Sequence, residues 1–299
     1  DRLGMLVMDE TFDMWTHTKC DNDYGLYFPD WWERDVEAMV HKDFNHPCVI
    51  LYSAGNEIPE AGTAKGAEWN RKILDKIRSL DDTRFTTNAV NGMLAIMDAM
   101  PAVMADIQAE RKAEGVEMDS EGSNALNGFL AFMQGDIFDR LMRHPLVAQR
   151  TEEVYAGMDI AGMNYMSACY EPHHDQYPHR IILGTETFPA EIPHLWDLVT
   201  RNAHVIGDMT WTGYDYLGEA GCGVYYYNGN QNFNAQWPDR AAYIGDIDIV
   251  GNRRPISYWR EIIFGLRQAP YIAVERVDHY GQPVSGTPWM GKDDIASWT

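Results

Sequence analysis

Two glutamates stand at the ends of apolar runs. Cys48-Val49-Ile50-Leu51-Tyr52-Ser53-Ala54-Gly55-Asn56 leads into Glu57, and Arg180-Ile181-Ile182-Leu183-Gly184-Thr185 leads into Glu186. Short, nearly continuous apolar runs of this kind read as strands buried on both faces, as in a parallel sheet. In a barrel of parallel strands the C-terminal ends converge on one face, where active sites sit. Two converging carboxyl groups can cleave a glycosidic bond with retention, one as acid/base and the other as nucleophile, when they lie roughly 5–5.5 Å apart. A lone Glu at a strand end is ordinarily a solvated surface residue. The second Glu in the same setting lifts the pair above that reading.

The elements that must position the pair can be read along the chain. Leu3-Gly4-Met5-Leu6-Val7-Met8, ending at Asp9-Glu10, reads as a buried parallel strand. Pro29 opens a helix to Val40, and Asn45-His46-Pro47 breaks the chain before the strand at 48–53. Trp69, Ile73, Ile77 and Leu80 form the stripe of a helix over 65–80, followed by a strand at Arg84–Asn88. Residues 91–157 are Met-rich with helical stretches near 93–112 and 128–143. Strands at 160–165 and 180–185, a helix near 190–203, a strand at 205–211 and a helix from Pro255 to Leu266 complete the series. Alternating strands and helices argue for a parallel sheet covered by helices. Six strands are visible where a closed (β/α)8 barrel has eight. The expected fold is therefore an α/β TIM (β/α)8 barrel lacking its first two strands, over residues 1–268, followed in 269–299 by a linker and a β-like, turn-rich stretch.

Composition excludes several classes. A formal charge of −21 repels phosphate backbones and anionic lipids, so neither nucleic acid nor membrane is an expected partner. Neutral carbohydrate is indifferent to it, and homo-oligomerisation is left open. The four cysteines (20, 48, 169 and 222) have neither zinc-site nor thioredoxin-type spacing and suggest a reducing compartment, the bacterial cytoplasm. An N-terminus that looks cut leaves secretion open. No cofactor or metal is indicated, although an acidic strand end could take a cation. His173, His174 and His179 read as a solvated loop rather than a metal site.

Four segments carry a family resemblance. Asn45-His46-Pro47 with Val49-Ile50-Leu51-Tyr52-Ser53 and Gly55-Asn56-Glu57 resembles the acid/base segment of glycoside hydrolase family 2. Ile182-Leu183-Gly184-Thr185-Glu186 resembles its nucleophile strand, Trp211–Glu219 its barrel-closing segment, and Asp9-Glu10-Thr11-Phe12-Asp13-Met14-Trp15 its third strand end. The resemblance covers residues 1 to about 268 and implies barrel strands 3–8, with the start of a β-sandwich domain in 269–299. It implies Glu57 as acid/base and Glu186 as nucleophile in retaining hydrolysis. It further implies Asn56 as a contact to the sugar 2-hydroxyl, Tyr165 after Asn164 as a residue orienting the nucleophile, and Trp211 as an aromatic floor. Each has a plainer reading, as a loop-capping Asn, a packed Tyr or a core Trp. Asp9 and Asn164 complete the candidate substrate contacts; Asp9, Glu10 and Asp13 could equally cap the next helix, and Glu219 could lie at the rim or on the surface.

The glucuronidase branch of the family reads its substrate's carboxylate with Asn-x-Lys. The matching stretch here, Asn252-Arg253-Arg254, lacks the Lys, so β-D-galactoside is expected first. A β-glucuronidase or another β-glycosidase of the family is the alternative. A catalytically inert carbohydrate-binding fragment is the competing class, because the strands that complete the barrel are not in the chain.

Overall fold

The computed structural model of the protein describes residues 1–115, 135–227, 237–282, 284–285, 289 and 293–295. Six strands, β1 (Val7–Glu10), β2 (Val49–Asn56), β3 (Phe85–Asn91), β4 (Ala161–Asn164), β5 (Ile182–Thr187) and β6 (Val205–Thr210), form one sheet in chain order. Pairing of β1 with β2, β2 with β3 and β3 with β4 is parallel. Parallel neighbours in chain order require a crossover after each strand. Among these are α1 (Phe28–Asp43) and α2 (Ala64–Leu80). This is the TIM-barrel fold with six strands present.

The chain divides into two compact units. The first comprises Asp1–Glu117, Asp139–Thr185 and Ala203–Gly207, and so holds β1 to β4 and the opening residues of β5 and β6. Its helical layer follows from local sequence. Thr63 caps α2 by accepting from the Gly66 amide at 3.0 Å. Helical spacing buries Ile73, Leu74 and Ile77 on one face, while Trp69 and Leu80 of the expected stripe are half-buried. From α1 come Phe28, Val36 and Val40, with less than 1% exposure. The Phe28 ring meets Trp69 edge-on at 5.0 Å, and Trp32 meets it at 5.7 Å. Each large buried side chain contributes roughly 1.5–3 kcal/mol, so this shared apolar face holds α1 and α2 together. At Gly66 a Cβ would lie 1.9 Å from the Glu60 carbonyl oxygen, so only glycine lets the Glu57-bearing turn pack this tightly on α2.

Several expectations are corrected. Strand β1 begins at Val7, and Leu3, Met5 and Leu6 are 88%, 67% and 65% exposed rather than buried. Among the described residues β1 is an edge strand with β2 alone beside it, so nothing covers the start of the apolar run. Strand β3 continues three residues beyond Asn88, because Ala89, Val90 and Asn91 pair with Gly162, Met163 and Asn164. The 93–112 stretch contains α3 (Met100–Ala113), and the 128–143 stretch is helical from Asp136 to Arg143 (α4), its first residues lying outside the described ones. A further helix, α5 (Pro145–Ala156), follows directly, started by Pro145 and capped by His144.

Of the three histidines, His179 stands exposed in a turn, as expected for a solvated loop. His173 and His174 instead lie on α6 (Tyr170–Gln176), where His173 is buried and His174 stacks on His204 with ring centroids 3.8 Å apart. Burial, with the neighbouring Arg180 guanidinium, pushes the His173 imidazole down to about 4. Among the described residues no group of three or more His, Cys, Asp or Glu could hold a metal ion. All four cysteines are free thiols. No helix of the described residues is long and apolar enough to cross a membrane.

The second unit comprises Met118–Phe138, Glu186–Asn202 and Asp208–Thr299. It holds α7 (Ile192–Arg201) and α8 (Pro255–Ile263), with Trp196 packed on Phe264 at 4.6 Å. Short two-residue strands pair Tyr216–Leu217 with Ala241–Ala242 and Val274–Glu275 with Asp294–Ile295. Cys222, Ala242 and Ile244 form a small buried cluster.

Candidate active site

In the first unit, Glu57 follows directly on β2, with its backbone at φ +48° and its amide donating to the Ala89 carbonyl at 2.8 Å. Tyr165 takes the same kind of position after β4, at φ +56°. Left-handed φ is uncommon for residues other than glycine and costs of order 1–3 kcal/mol. Both side chains are thus turned by the strand ends rather than continuing the pleat. The Glu57 carboxylate accepts from Asn91 Nδ2 at 2.7 Å, and Asn164 Nδ2 lies at 3.4 Å. Asn91 is fixed in turn, its Oδ1 accepting from the Met93 amide at 2.9 Å. Asn164 donates to Asn56 Oδ1 at 2.8 Å and accepts from Thr185 Oγ1 at 2.6 Å. The ends of β2, β3, β4 and β5 therefore meet in one hydrogen-bonded group around an acidic side chain. Neutral amides, which cannot lose a proton, fix where that carboxylate points.

Asp9 and Glu10 lie on opposite faces of β1, as strand alternation requires. The Asp9 carboxylate meets Lys42 of α1. Burial pushes it up, but hydrogen bonds from Asp43 and Lys42 outweigh this and hold it below the usual carboxylate range. Asp9 is thus turned to the helical layer, away from Glu57. Glu10 faces the other way and accepts from Ser53 Oγ at 2.7 Å. Although much of the residue is exposed, burial of the carboxyl group pushes it from 4.5 up to about 7, with the charges of Asp13 and Glu57 adding to the rise. A carboxyl group with a raised folded-state pKa binds its proton more tightly when folded. It costs stability increasingly as pH climbs from its unfolded value of 4.5 to about 7, and the cost is complete above that. Glu10→Gln is therefore expected to melt at a higher temperature than the wild type at about pH 8 and not at about pH 4. A difference of the same size at both pH values would show that the change acts through packing instead.

In the second unit, Glu186 lies on β5 one residue before its end and is half-buried. Thr187, next in the chain, is buried and donates through Oγ1 to Asp208 on β6 at 3.0 Å. Burial pushes the Asp208 carboxyl up to about 6. Trp211 donates its amide to the Thr187 carbonyl at 3.1 Å, and its ring packs 6.1 Å from Tyr216 and 5.8 Å from Trp289. Burial and a hydrogen bond to Glu219 raise the Tyr216 hydroxyl, and the Glu186 charge adds to the rise. Trp211, Tyr216 and Glu219 thus belong to the surroundings of Glu186. The side chains of Asn252, Arg253 and Arg254 are engaged within the protein. Asn252 donates to Asp248, Arg253 to Ser257 and Glu261, and Arg254 to Asp215 and the Gly245 carbonyl.

Asn91 and Lys19 were missed in the sequence. Asn91 was legible in principle, because a strand carried to its full length ends there beside the other strand ends. Lys19 sits in an irregular loop and meets the Asn56 carbonyl across 37 residues of sequence, with no local pattern to signal it.

A parallel strand–helix fold with polar and acidic side chains at its strand ends is the frame on which TIM-barrel enzymes build their sites. The model for "Glycosyl hydrolases family 2, TIM barrel domain" matches residues 1–122. A β-galactosidase, BoGH2A, from Bacteroides ovatus is 25% identical over 306 residues, covering 86% of this chain and 32% of its own length. A protein named as a β-glucuronidase from Formosa agariphila is 24% identical over 278 residues, covering 87% of this chain and 23% of its own. The crystal structure of a glycosyl hydrolase family 2 member from Bacteroides cellulosilyticus superposes on the whole chain with a TM-score of 0.72 and 29% identity, and the chain covers 32% of it. The chain is thus similar to glycosyl hydrolase family 2 proteins, its first 122 residues matching their barrel model, and it carries the TIM-barrel fold. It spans about a third or less of these relatives.

Proposed function

We propose that the protein is a retaining β-glycosidase that removes terminal β-D-galactosides, with Glu57 as acid/base and Glu186 as nucleophile. The observation that carries this reading is the placement of each glutamate at the C-terminal end of its own strand in one parallel sheet. In the first step Glu186 attacks the anomeric carbon while Glu57 gives its proton to the departing glycosidic oxygen. In the second, Glu57 takes a proton from water, which displaces Glu186 from the covalent glycosyl-enzyme. Asn56 holds the 2-hydroxyl, Tyr165 orients the nucleophile and Trp211 floors the sugar.

Galactoside is preferred over glucuronide because a substrate carboxylate needs an available cation, and Arg253 and Arg254 are held in internal pairs. The named β-galactosidase relative supports the same choice. Barrel residues run to about 268, and the short paired strands after it open a β-rich domain.

The test is a panel of 4-nitrophenyl β-glycosides (galactoside, glucuronide, glucoside, mannoside) offered to the full-length protein and to this chain alone. Fastest turnover of the galactoside is expected. A faster glucuronide overturns the sugar and keeps the mechanism. Turnover by the full-length protein alone assigns the missing activity to residues outside this chain. Failure of the full-length protein on all four sinks the hydrolase reading.

A further inference from the structure

We infer that Asp13 and Lys19 are positioning residues that fix the orientation of the Asn56 side-chain amide, and that they act on the substrate only through it. The inference deepens the hydrolase reading above and rests on it.

An asparagine amide has a donor end with two N–H groups and an acceptor end with two lone pairs, and a half-turn exchanges them. For Asn56 both ends are pinned, and the pins agree. Its Nδ2 donates to Asp13 Oδ1 at 2.9 Å, and its Oδ1 accepts from Asn164 Nδ2 at 2.8 Å. An ionised carboxylate only accepts, so Asp13 tolerates the donor end alone. Turning the amide over would set oxygen against oxygen at Asp13 and nitrogen against nitrogen at Asn164. Each end of Asn56 still has one hydrogen-bonding place left for a sugar hydroxyl.

Asp13 is itself held. Lys19 Nζ donates to Asp13 Oδ1 at 3.0 Å and to the Asn56 carbonyl at 2.9 Å, bridging the loop to the strand end beside Glu57. The Asp13 side chain is 58% exposed and that of Lys19 23%. A pair this open to water adds little stability, so its effect is geometric. The loop carrying both residues is anchored from a second direction. The buried Glu60 accepts through one oxygen from the Thr16 amide, the Thr16 hydroxyl and the His17 amide, each at 2.8 Å. The loop after β1 is thus tied to the turn after β2, and Asp13 is presented to Asn56 from a fixed frame.

The test uses the full-length protein with the best glycoside of the panel and its 2-deoxy analogue, comparing wild type, Asp13→Ala, Asn56→Ala and the double variant. Asp13→Ala is expected to lower kcat/KM about 10- to 100-fold on the parent sugar, the scale of one charge-assisted hydrogen bond. It should change the 2-deoxy substrate little. The double variant should be no slower than Asn56→Ala, and Asp13→Asn, which keeps an acceptor oxygen, should recover most of the rate. Losses that add in the double variant, or that fall equally on the 2-deoxy sugar, overturn the inference, since Asp13 would then act without Asn56. A wild type inactive across the panel fails the hydrolase reading itself, a result seen before any variant is compared. Should Asp13→Ala not fold, Lys19→Met reads the same contrast: a loss confined to the parent sugar supports the inference, and an equal loss on both overturns it.

Discussion

Glu186→Gln in the full-length protein is expected to cut hydrolysis of the best β-glycoside by several orders of magnitude while leaving the melting temperature nearly unchanged. Glutamine has the shape of glutamate, and Glu186 is only half-buried, so the substitution removes a nucleophilic charge without opening a cavity. An amide oxygen cannot form the covalent glycosyl-enzyme at a useful rate, and without that intermediate the retaining route has no first step. The check is steady-state turnover beside mass spectrometry after incubation with a 2-deoxy-2-fluoro glycoside. The wild type should gain the mass of one sugar on the peptide carrying Glu186, and the variant should gain none. Residual hydrolysis within tenfold of wild type would sink the assignment.

Glu57→Ala should behave differently, and the difference separates the two roles. Loss of general acid/base help costs about 10²–10⁴-fold, but the loss falls unevenly. Aryl glycosides with good leaving groups need little protonation, so their first step should survive and the glycosyl-enzyme should accumulate. Azide needs no general base and can enter the space vacated by the carboxylate, so it should restore turnover and yield the β-glycosyl azide. Asn91 should stay in place in this variant, because its own oxygen still caps the Met93 amide. Product analysis with and without azide decides the matter, and absence of both rescue and azide adduct would remove Glu57 from the acid/base role.

The parts of the fold that were legible in the sequence are those with a local cause. A run such as Val49–Ser53 is apolar because the strand is buried on both faces, and the charged residue that ends it marks the rim of the sheet. The stripe of α2 and the cap at Thr63 are equally local. What escaped reading depends on contacts between distant segments. The start of the Leu3–Met8 run looks buried by composition, and only the absence of a neighbour on its open side among the described residues exposes it. His173 to His179 looked like solvent-facing polar sequence, yet Arg180, Tyr155 and Tyr177 enclose His173. The candidate site divides the same way. Glu57, Asn56 and Glu186 are marked by their strands, whereas Asn91 and Lys19 acquire meaning only when neighbouring strand ends and loops are set beside them.

The backbone at Glu57 carries a consequence for how such a chain can change over time. Its φ of +48° suits glycine or asparagine better than glutamate. The position to which the proposed mechanism gives the acid/base role is therefore one where the backbone favours a different residue. A copy of this chain with no acid/base role at that position would gain stability by replacing Glu57 with glycine or asparagine. Under the acid/base assignment, folding and catalysis favour different residues at this one position.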